Sequence, residues 1–262
     1  MKPSETKDTP EMTVNYDSVA IAYNRRYELH EYAGIRSAIL RLVEPTDQRC
    51  VLEVGCGTGK WLNVLAQFGC NVAGIDPSKE MRLRAPDAVR GEIREGVAEA
   101  LPWVDASFDV VYCINALHHF ASPERALREI ARVLRPSGTL LSIGLDPHER
   151  RGRWFVYDFF PETLDLDLER FPPLSRRSTW LEAAGFSCIE ARPVEHLQSS
   201  RSFDEMLRDG VIEQTYTSQL TALTAAEYAA GMRRIRETAD RDHGFRFVSD
   251  LTLYATEARK SV

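Results

Sequence analysis

The segment VLEVGCGTGKW, at residues 51–61, constrains the fold of this chain more than any other. Residues 50–54 form an apolar run of strand length, and glycines follow at positions 55, 57 and 59. Apolar residues then recur at helical spacing up to Gly69, a typical helix stop. The order of strand, glycine turn and helix predicts one βα unit of a parallel sheet that helices cover on both faces.

The rest of the chain repeats this alternation of strand and helix. Short apolar runs that predict further strands lie at residues 71–75, 108–114, 139–143, 187–191 and 247–255. A helical stretch covers about residues 18–43, and Ser122-Pro123-Glu124 predicts the N-terminus of another helix. The spacing of Thr179 and Glu182 predicts a capping box for a helix that ends at Gly185. The fold class is therefore a doubly wound α/β fold.

Length and charge limit the possible classes. The 262 residues suit one α/β domain, which we expect at residues 14–262 after a disordered polar tail at 1–13. The net charge of −6 disfavours nucleic acid as a partner. Five cysteines without a C-x-x-C pair indicate neither disulfides nor zinc, and no apolar run is long enough to span a membrane. We expect a cytoplasmic protein; the sequence leaves its oligomeric state open.

The glycine turn predicts a small polar ligand, because only glycine lets a backbone approach a ligand so closely at a helix N-terminus. A dinucleotide fingerprint fails because the third glycine comes one residue early, and a phosphate loop fails because Trp61 replaces the required Ser or Thr. Asp76 ends the next strand, where an acid accepts hydrogen bonds from a ribose. Glu53, an acid within a buried strand, needs a donor or a cation beside it. A ligand with a ribose and an ammonium group meets both demands.

These segments carry a family resemblance. The chain resembles the class I S-adenosylmethionine-dependent methyltransferases, in particular a small-molecule branch similar to the ubiquinone and menaquinone C-methyltransferases. The resembling segments are YDSVAIAYNRRYE (16–28), VLEVGCGTG (51–59), VAGIDPSKEM (72–81), GVAEALPWVDASFDVVYCINALHHF (96–120) and RVLRPSGTLL (132–141). The resemblance implies a Rossmann-like methyltransferase fold with a mostly parallel seven-stranded sheet. It implies S-adenosylmethionine as cofactor and S-adenosylhomocysteine as product.

The resemblance also implies roles for individual residues. It places the methionine part of the cofactor against the glycine loop and Asn115, the ribose on Asp76, and the adenine near Pro77, Met81, Ala98 and Glu99. The whole expected cofactor set is Tyr16, Tyr23, Glu53, Gly55, Cys56, Gly57, Asp76, Pro77, Met81, Ala98, Glu99 and Asn115. The chain departs from the family at Val97, where related sequences usually carry an acid that contacts the adenine amine. Backbone groups or Glu99 then have to replace it.

The expected activity is methyl transfer to a small organic acceptor by in-line displacement, with no metal. His119 or His118 would remove a proton from the acceptor, or both histidines only shape the pocket. Methylation of RNA or protein, and a non-enzymatic cofactor-binding regulator, are the alternatives.

Two further segments bear on the acceptor. A mostly helical insertion at about residues 198–244 is expected to form a lid over the acceptor pocket, with an apolar face that includes Leu220 and Met232. The aromatic run at residues 154–160 is either core or a wall of that pocket.

Overall fold

A computed structural model describes residues 16–149 and 152–261 of the protein. The expected tail at residues 1–13 lies outside the described residues. No helix in the described ranges is both long and apolar enough to cross a membrane.

In the described residues, eight strands form one sheet. They are β1 (Cys50–Val54), β2 (Asn71–Asp76), β3 (Ile93–Glu95), β4 (Phe108–Ile114), β5 (Leu134–Leu145), β6 (Arg153–Trp154), β7 (Phe186–Arg201) and β8 (Phe247–Lys260). Strands β3, β2, β1, β4 and β5 are adjacent in that order and run parallel. Strand β8 is antiparallel to β5, and both β6 and β7 pair antiparallel with β8. The predicted doubly wound, mostly parallel sheet is confirmed, with the two-residue β6 added to the predicted seven strands.

The helices lie between or beside these strands. They are α1 (Tyr16–Tyr23), α2 (Arg25–Leu29), α3 (Ala33–Val43), α4 (Lys60–Gln67), α5 (Lys79–Leu83), α6 (Asp87–Arg90), α7 (Pro123–Val133), α8 (Phe155–Phe159), α9 (Glu162–Arg170), α10 (Leu174–Ala183), α11 (Phe203–Asp209), α12 (Ser218–Thr221) and α13 (Ala225–Arg241). A 3₁₀ turn, Leu117–His119, follows β4.

Two apolar cores sandwich the sheet, because successive side chains of a strand point to opposite faces. Val51 packs with α3 and α4 on one face, whereas Leu52 packs with α7 and α10 on the other. Both residues are fully buried. Burial of each such side chain contributes about 1.5–3 kcal/mol. The continuous apolar run that predicted β1 therefore reflects a strand that is covered on both faces.

The strand order creates a switch point between β1 and β4. From β1 the chain proceeds to β2 and β3 on one side, whereas β4 and β5 lie on the other. The parallel register pairs Glu53 with Gly74 of β2 and with Tyr112 of β4. The carboxyl ends of β1, β2 and β4 therefore meet at one edge of the sheet, where open α/β sheets bind ligands.

The predicted helix starts are partly wrong. Helix α10 begins at Leu174 after Pro173, and the Thr179 hydroxyl donates to the Ser175 carbonyl inside the helix, so Thr179 is not a cap. Proline before the helix supplies the start, because its fixed φ suits an N-terminal position. Helix α7 does begin at Pro123, but the Ser122 side chain forms no capping hydrogen bond. The N-terminal helical stretch is divided into α1, α2 and α3.

Helices α11, α12 and α13 lie between β7 and β8 and form the insertion of residues 202–246. Because β7 continues to Arg201, the insertion starts a few residues after the predicted position 198. Its apolar residues, including Leu220 and Met232, are buried in a third core together with Phe160 of the segment after α8. The apolar face therefore packs within its own core. That the insertion acts as a lid stays a prediction.

Candidate functional site

A cavity of about 260 Å³ lies at the sheet edge where β1, β2 and β4 end. Ten of the twelve expected cofactor residues line it: Tyr16, Tyr23, Gly55, Gly57, Asp76, Pro77, Met81, Ala98, Glu99 and Asn115. His119 lines it as well. The structure thus brings together residues that are separated by up to 103 positions in the chain.

The glycine turn is held against the end of β2. Gly57 has a φ of +53°, and its backbone N–H donates a 2.8 Å hydrogen bond to Asp76 Oδ2. The N–H of Ser78 donates to Asp76 Oδ1 at 2.9 Å. A Cβ added at Gly57 would lie in van der Waals contact with the Tyr23 ring, 3.8 Å away. The turn therefore presents bare backbone to the cavity beside a fixed carboxylate.

The N-terminal helices close one side of the cavity. The Thr58 hydroxyl donates to Asn24 Oδ1 at 2.7 Å, and the Ser78 hydroxyl donates to Asp17 Oδ1 at 2.6 Å. The first bond ties Asn24, between α1 and α2, to the glycine turn, and the second ties α1 to the segment after β2. Tyr16 and Tyr23 of α1 consequently face the cavity.

The Asp76 side of the cavity is mainly apolar. Met81 is buried against Val19 and Ala20 of α1, so it serves as core and cavity wall together. Val97 lines the cavity and is 47% exposed. Glu99 Oε1 accepts a 2.9 Å hydrogen bond from the Ser122 N–H, which holds the start of α7. One oxygen of Glu99 is thus engaged by the protein backbone.

Asn115 occupies the first position after β4. It has a φ of +51°, a left-handed conformation that is uncommon for a residue with a side chain. Its backbone N–H donates to the Ile143 carbonyl of β5 at 2.7 Å, so the sheet holds it in this conformation. Such strain is concentrated at functional sites.

Glu53 and Cys56 line a smaller adjoining cavity. Glu53 is buried, and Tyr112 donates its hydroxyl to Glu53 Oε2 at 3.1 Å. Burial raises the pKa of Glu53 well above its usual range, and the nearby Asp76 adds to this rise. Tyr112 thus supplies the donor that the sequence analysis assigned to a ligand. A cofactor contact for either residue stays a prediction.

Arg26 is a site residue that the sequence analysis missed. Its guanidinium lies over the Tyr23 ring at 3.9 Å and lines the smaller cavity beside Gly55 and Asn115. Its Nε and Nη2 donate to the carbonyls of Tyr23 and Tyr216 at 3.0 Å each. Nothing in the local sequence separates Arg26 from its neighbour Arg25, because only the tertiary structure turns one of them inward.

His119 and Tyr16 form a hydrogen-bonded pair between the Tyr16 hydroxyl and His119 Nε2. Burial lowers the pKa of His119 to about 3, with a further contribution from the positive charge of Arg170. His119 is therefore neutral near pH 7. The pair joins α1 to the turn after β4 across the cavity.

His118, unlike His119, does not line the cavity. Its ring stacks on Phe171 with centroids 3.8 Å apart and an angle of 18° between the planes. Burial lowers the pKa of His118 well below its usual value, and His119 and Arg170 lower it further. This environment is that of a packed side chain.

The aromatic run at residues 154–160 divides between core and surface. Phe155 and Phe160 are buried in the core of the insertion. Trp154 and Tyr157 line a separate cavity of about 230 Å³ that none of the expected site residues line.

Within the described ranges, no group of three or more His, Cys, Asp or Glu side chains is placed to hold a metal ion.

Known proteins share both sequence and fold with this chain. The family described as "Methyltransferase domain" matches residues 52–142. The chain is 28% identical over 221 residues to the demethylmenaquinone methyltransferase of Clavibacter sepedonicus, a match that covers 73% of this chain and 89% of that protein. It is 34% identical over 139 residues to the malonyl-[acyl-carrier protein] O-methyltransferase of Pectobacterium atrosepticum, covering 49% of this chain and 54% of that protein.

The fold is that of the YcgJ protein of Bacillus subtilis. That structure aligns with a TM-score of 0.61 and 21% identity over 89% of this chain and 100% of that one. The family match covers most of β1 and β5 and all of β2, β3 and β4, and so includes the three strand ends, of β1, β2 and β4, that form the cavity. Together with the fold, these matches show that the chain is similar to the class I S-adenosylmethionine-dependent methyltransferases and, among them, to the quinone methyltransferases.

Proposed function

We propose that the protein transfers a methyl group from S-adenosylmethionine to a small organic acceptor by in-line displacement. The observation that carries the proposal is the cavity at the ends of β1, β2 and β4, which extends from Asp76 to the pair of Tyr16 and His119. One end offers a fixed carboxylate and bare backbone. The other end offers neutral polar groups that suit a reacting centre.

The Asp76 end fits a nucleoside. Asp76 Oδ1 and Oδ2 each accept one backbone hydrogen bond, which leaves further lone pairs for ribose hydroxyls. Pro77, Met81 and Ala98 offer an apolar surface to an adenine ring. Without an acid at position 97, Glu99 or backbone groups would have to meet the adenine amine.

The smaller adjoining cavity fits the amino-acid part of the cofactor. Arg26 is positively charged, lies beside Gly55 and Asn115, and would pair with the methionine carboxylate. Guanidinium and carboxylate form strong charge-assisted hydrogen bonds. The Asn115 side chain and the backbone of the glycine turn would form hydrogen bonds with the amino-acid part of the cofactor.

When bound, S-adenosylmethionine supplies a methyl group on a positively charged sulfur, which a nucleophilic atom of the acceptor takes while the electron pair of the broken bond remains on sulfur. The protein then contributes mainly by holding acceptor and methyl in line. Tyr16 and His119 would orient the acceptor. A pKa of about 3 makes His119 a weak base near neutral pH, so we favour positioning over proton removal.

Charge and similarity both support a small acceptor. A net charge of −6 opposes the binding of polyanionic RNA. The names of the two relatives above denote methyl transfer to demethylmenaquinone and to a malonyl group on a carrier protein, and the first match covers most of both chains. The small-molecule class is thus the better starting point for a search.

The direct test is production of S-adenosylhomocysteine. The purified protein is incubated with S-adenosylmethionine and separate fractions of small metabolites, RNA and protein from a cell extract. We expect S-adenosylhomocysteine and a mass gain of one methyl only with the metabolite fraction, and loss of both in the Asp76→Ala variant. Methylation of RNA or protein alone would contradict the proposal.

A further inference from the structure

A further cavity, of about 110 Å³, adjoins the smaller cavity that would hold the amino-acid part of the cofactor. Arg26 and Tyr32 line both of these cavities. Tyr23 and Asn115 in turn line both the smaller cavity and the main one. The three cavities therefore form a series that starts at Asp76. The last of them, here called the β7–β8 cavity, lies beyond the amino-acid part of a bound cofactor.

The floor of the β7–β8 cavity is one face of the ribbon that these two strands form. Leu197, Ser199 and Arg201 are alternate residues of β7, so their side chains point to the same face. Leu251 of β8 pairs with Leu197 across the ribbon, and it lines the cavity as well. Ser249 of β8 pairs with Ser199 and also lines it. The two small serines leave a depression between an apolar pair and the guanidinium of Arg201.

Aromatic side chains surround this floor. Four of them line the cavity: Tyr32 before α3, Trp154 at the end of β6, Phe155 at the start of α8, and Tyr216 in the insertion before α12. Burial raises the pKa of Tyr32 and of Tyr216, so both phenols are neutral. Aromatic walls favour a flat ring, and an apolar cavity of about 150 Å³ is known to hold one benzene molecule. The β7–β8 cavity is therefore on the scale of a single ring.

The charge of the cavity wall is positive. Arg26 and Arg201 line it, and no carboxylate is among the described residues that do so. His30 lines it too, but burial lowers the pKa of His30 and the positive charge of Arg201 lowers it further, so this ring is neutral near pH 7. Glu195, whose charge also reaches His30, accepts from the N–H groups at the start of α3. The cavity thus suits an anion rather than a cation.

Arg201 has a free edge for such an anion. Its Nε donates to Asp209 Oδ2 at 3.0 Å, and its side chain is only 15% exposed. Asp209 also pairs with Arg208, so one carboxylate serves two guanidinium groups. No described residue forms a hydrogen bond with Nη1 or Nη2 of Arg201. These two nitrogens form the end edge of the guanidinium, which matches the two oxygens of a carboxylate.

We propose that the β7–β8 cavity anchors one end of the methyl acceptor, a flat ring that carries a carboxylate, through the Nη1 and Nη2 edge of Arg201. The inference rests on the proposed function, because it names the chemical class of the acceptor for that reaction. The ring would lie on the two serines, between the aromatic walls. The rest of the acceptor would pass Arg26 and bring its nucleophilic atom to the methyl group beside Tyr16 and His119.

The test uses the full chain saturated with S-adenosylhomocysteine and titrated by calorimetry with three probes. Benzoate has the ring and the charge, benzamide has only the ring, and acetate has only the charge. We expect millimolar binding of benzoate and at least about tenfold weaker binding of the other two, because each lacks one set of contacts. Benzoate should also suppress the mass gain of one methyl in the metabolite fraction, because it occupies the place of the acceptor.

Variants of two residues locate the binding site. Arg201→Gln should lower the affinity for benzoate at least about tenfold, because charge-assisted hydrogen bonds are lost, and leave the affinity for S-adenosylhomocysteine unchanged. Arg208→Gln, at a side chain that is 70% exposed, is its control and should not change benzoate binding. Ser199→Leu keeps all charges but fills the depression, so it should also weaken benzoate binding even if Arg201→Gln does not fold. Gln198→Leu, on the opposite face of β7, is the matched control for it.

The possible results separate this inference from the proposed function. Absence of benzoate binding, equal binding of benzamide, or unchanged benzoate affinity in a folded Arg201→Gln or Ser199→Leu variant would overturn the inference. Benzoate that binds but does not suppress methylation would overturn the assignment of the cavity to the acceptor. An unaltered protein that does not bind S-adenosylhomocysteine would instead contradict the proposed function.

Discussion

The backbone N–H of Gly57 donates a 2.8 Å hydrogen bond to the carboxylate of Asp76, so the turn after β1 and the acid that ends β2 form one unit. Residues 19 positions apart in the chain thus fix each other's geometry. The carboxylate is already oriented before a ligand arrives, which lowers the entropic cost of binding.

Replacement of Asp76 should reduce the affinity for the cofactor more than it reduces the stability of the fold. Asp76→Ala removes the expected ribose contacts and the acceptor for Gly57, so affinity for S-adenosylhomocysteine should fall by about tenfold or more. Calorimetry measures the affinity, and thermal unfolding measures the change in stability. Asp87→Ala, at a side chain that is 91% exposed, is the control. Unchanged affinity in Asp76→Ala would exclude the assigned site.

Gly57→Val should also reduce the affinity for the cofactor. Its φ of +53° strains any residue with a Cβ, and the new side chain would lie against the Tyr23 ring at the wall of the cavity and take up space that the ligand needs. We expect a larger loss of affinity for S-adenosylhomocysteine than in Gly57→Ala, because the larger side chain fills more of that space. Equal affinities in both variants would indicate that the ligand lies elsewhere.

Arg26 should recognise only the amino-acid end of the cofactor. Arg26→Gln is expected to lower the affinity for S-adenosylhomocysteine about tenfold, because a charge-assisted hydrogen bond is lost. The same variant should bind 5′-methylthioadenosine, which lacks the amino-acid carboxylate, as well as the unaltered protein does. Parallel titrations with the two compounds separate this role from general damage, which would weaken both ligands. Arg25→Gln provides the matched control, since Arg25 forms an exposed ion pair with Glu213.

The pair of Tyr16 and His119 should act by positioning. Tyr16→Phe and His119→Gln are each expected to lower the single-turnover rate by about tenfold or less, below the 10²–10⁴ of a general base. In a double-mutant cycle the two losses should not add, because each variant breaks the same hydrogen bond. Measurement of the single-turnover rate across pH requires a methyl acceptor, which the test with the metabolite fraction would identify. A loss above about 10² together with loss of an acidic limb near neutral pH would establish a histidine base instead.

Burial of neutral His119 should make the fold sensitive to acid. Its pKa is lowered from 6.5 to about 3, so between these values the unfolded chain binds a proton that the folded chain does not. The free energy of unfolding then falls as pH falls, by about 1.4 kcal/mol per pH unit for such a group. From pH 7 to pH 5, His119→Gln should lose about 2 kcal/mol less than the unaltered protein. Urea unfolding at both values tests this, and His243→Gln, an exposed position, should behave like the unaltered protein.

The insertion should become more protected when both substrates are bound. The carbonyl of Tyr216, just before α12, accepts from Arg26 Nη2 at 3.0 Å, so a ligand held beside Arg26 should stabilise α12. Hydrogen exchange of residues 203–241 should slow with S-adenosylhomocysteine and slow further with an acceptor. Equal protection in all states would indicate that the insertion is purely structural or mediates association.

Local sequence patterns predicted the strands and the ligand-binding turn. The run from Cys50 to Val54 and the three glycines after it predict a βα unit, since strand length, burial and glycine conformation are local properties. Asp76 could be placed beside the turn because parallel strands end at one sheet edge. Helix starts were less predictable: the start of α10 depends on Pro173, whereas a matching capping pattern at Thr179 lies inside the helix.

Only the tertiary structure decided which polar side chains face the cavity and what partners they have. Arg26 and Arg25 are indistinguishable in the sequence, as are His119 and His118, yet one of each pair lines a cavity. The donor for Glu53 is Tyr112, 59 positions away on the neighbouring strand. Side-chain direction and burial depend on contacts between distant segments, and these change pKa values and hydrogen-bond partners in ways that local patterns do not encode.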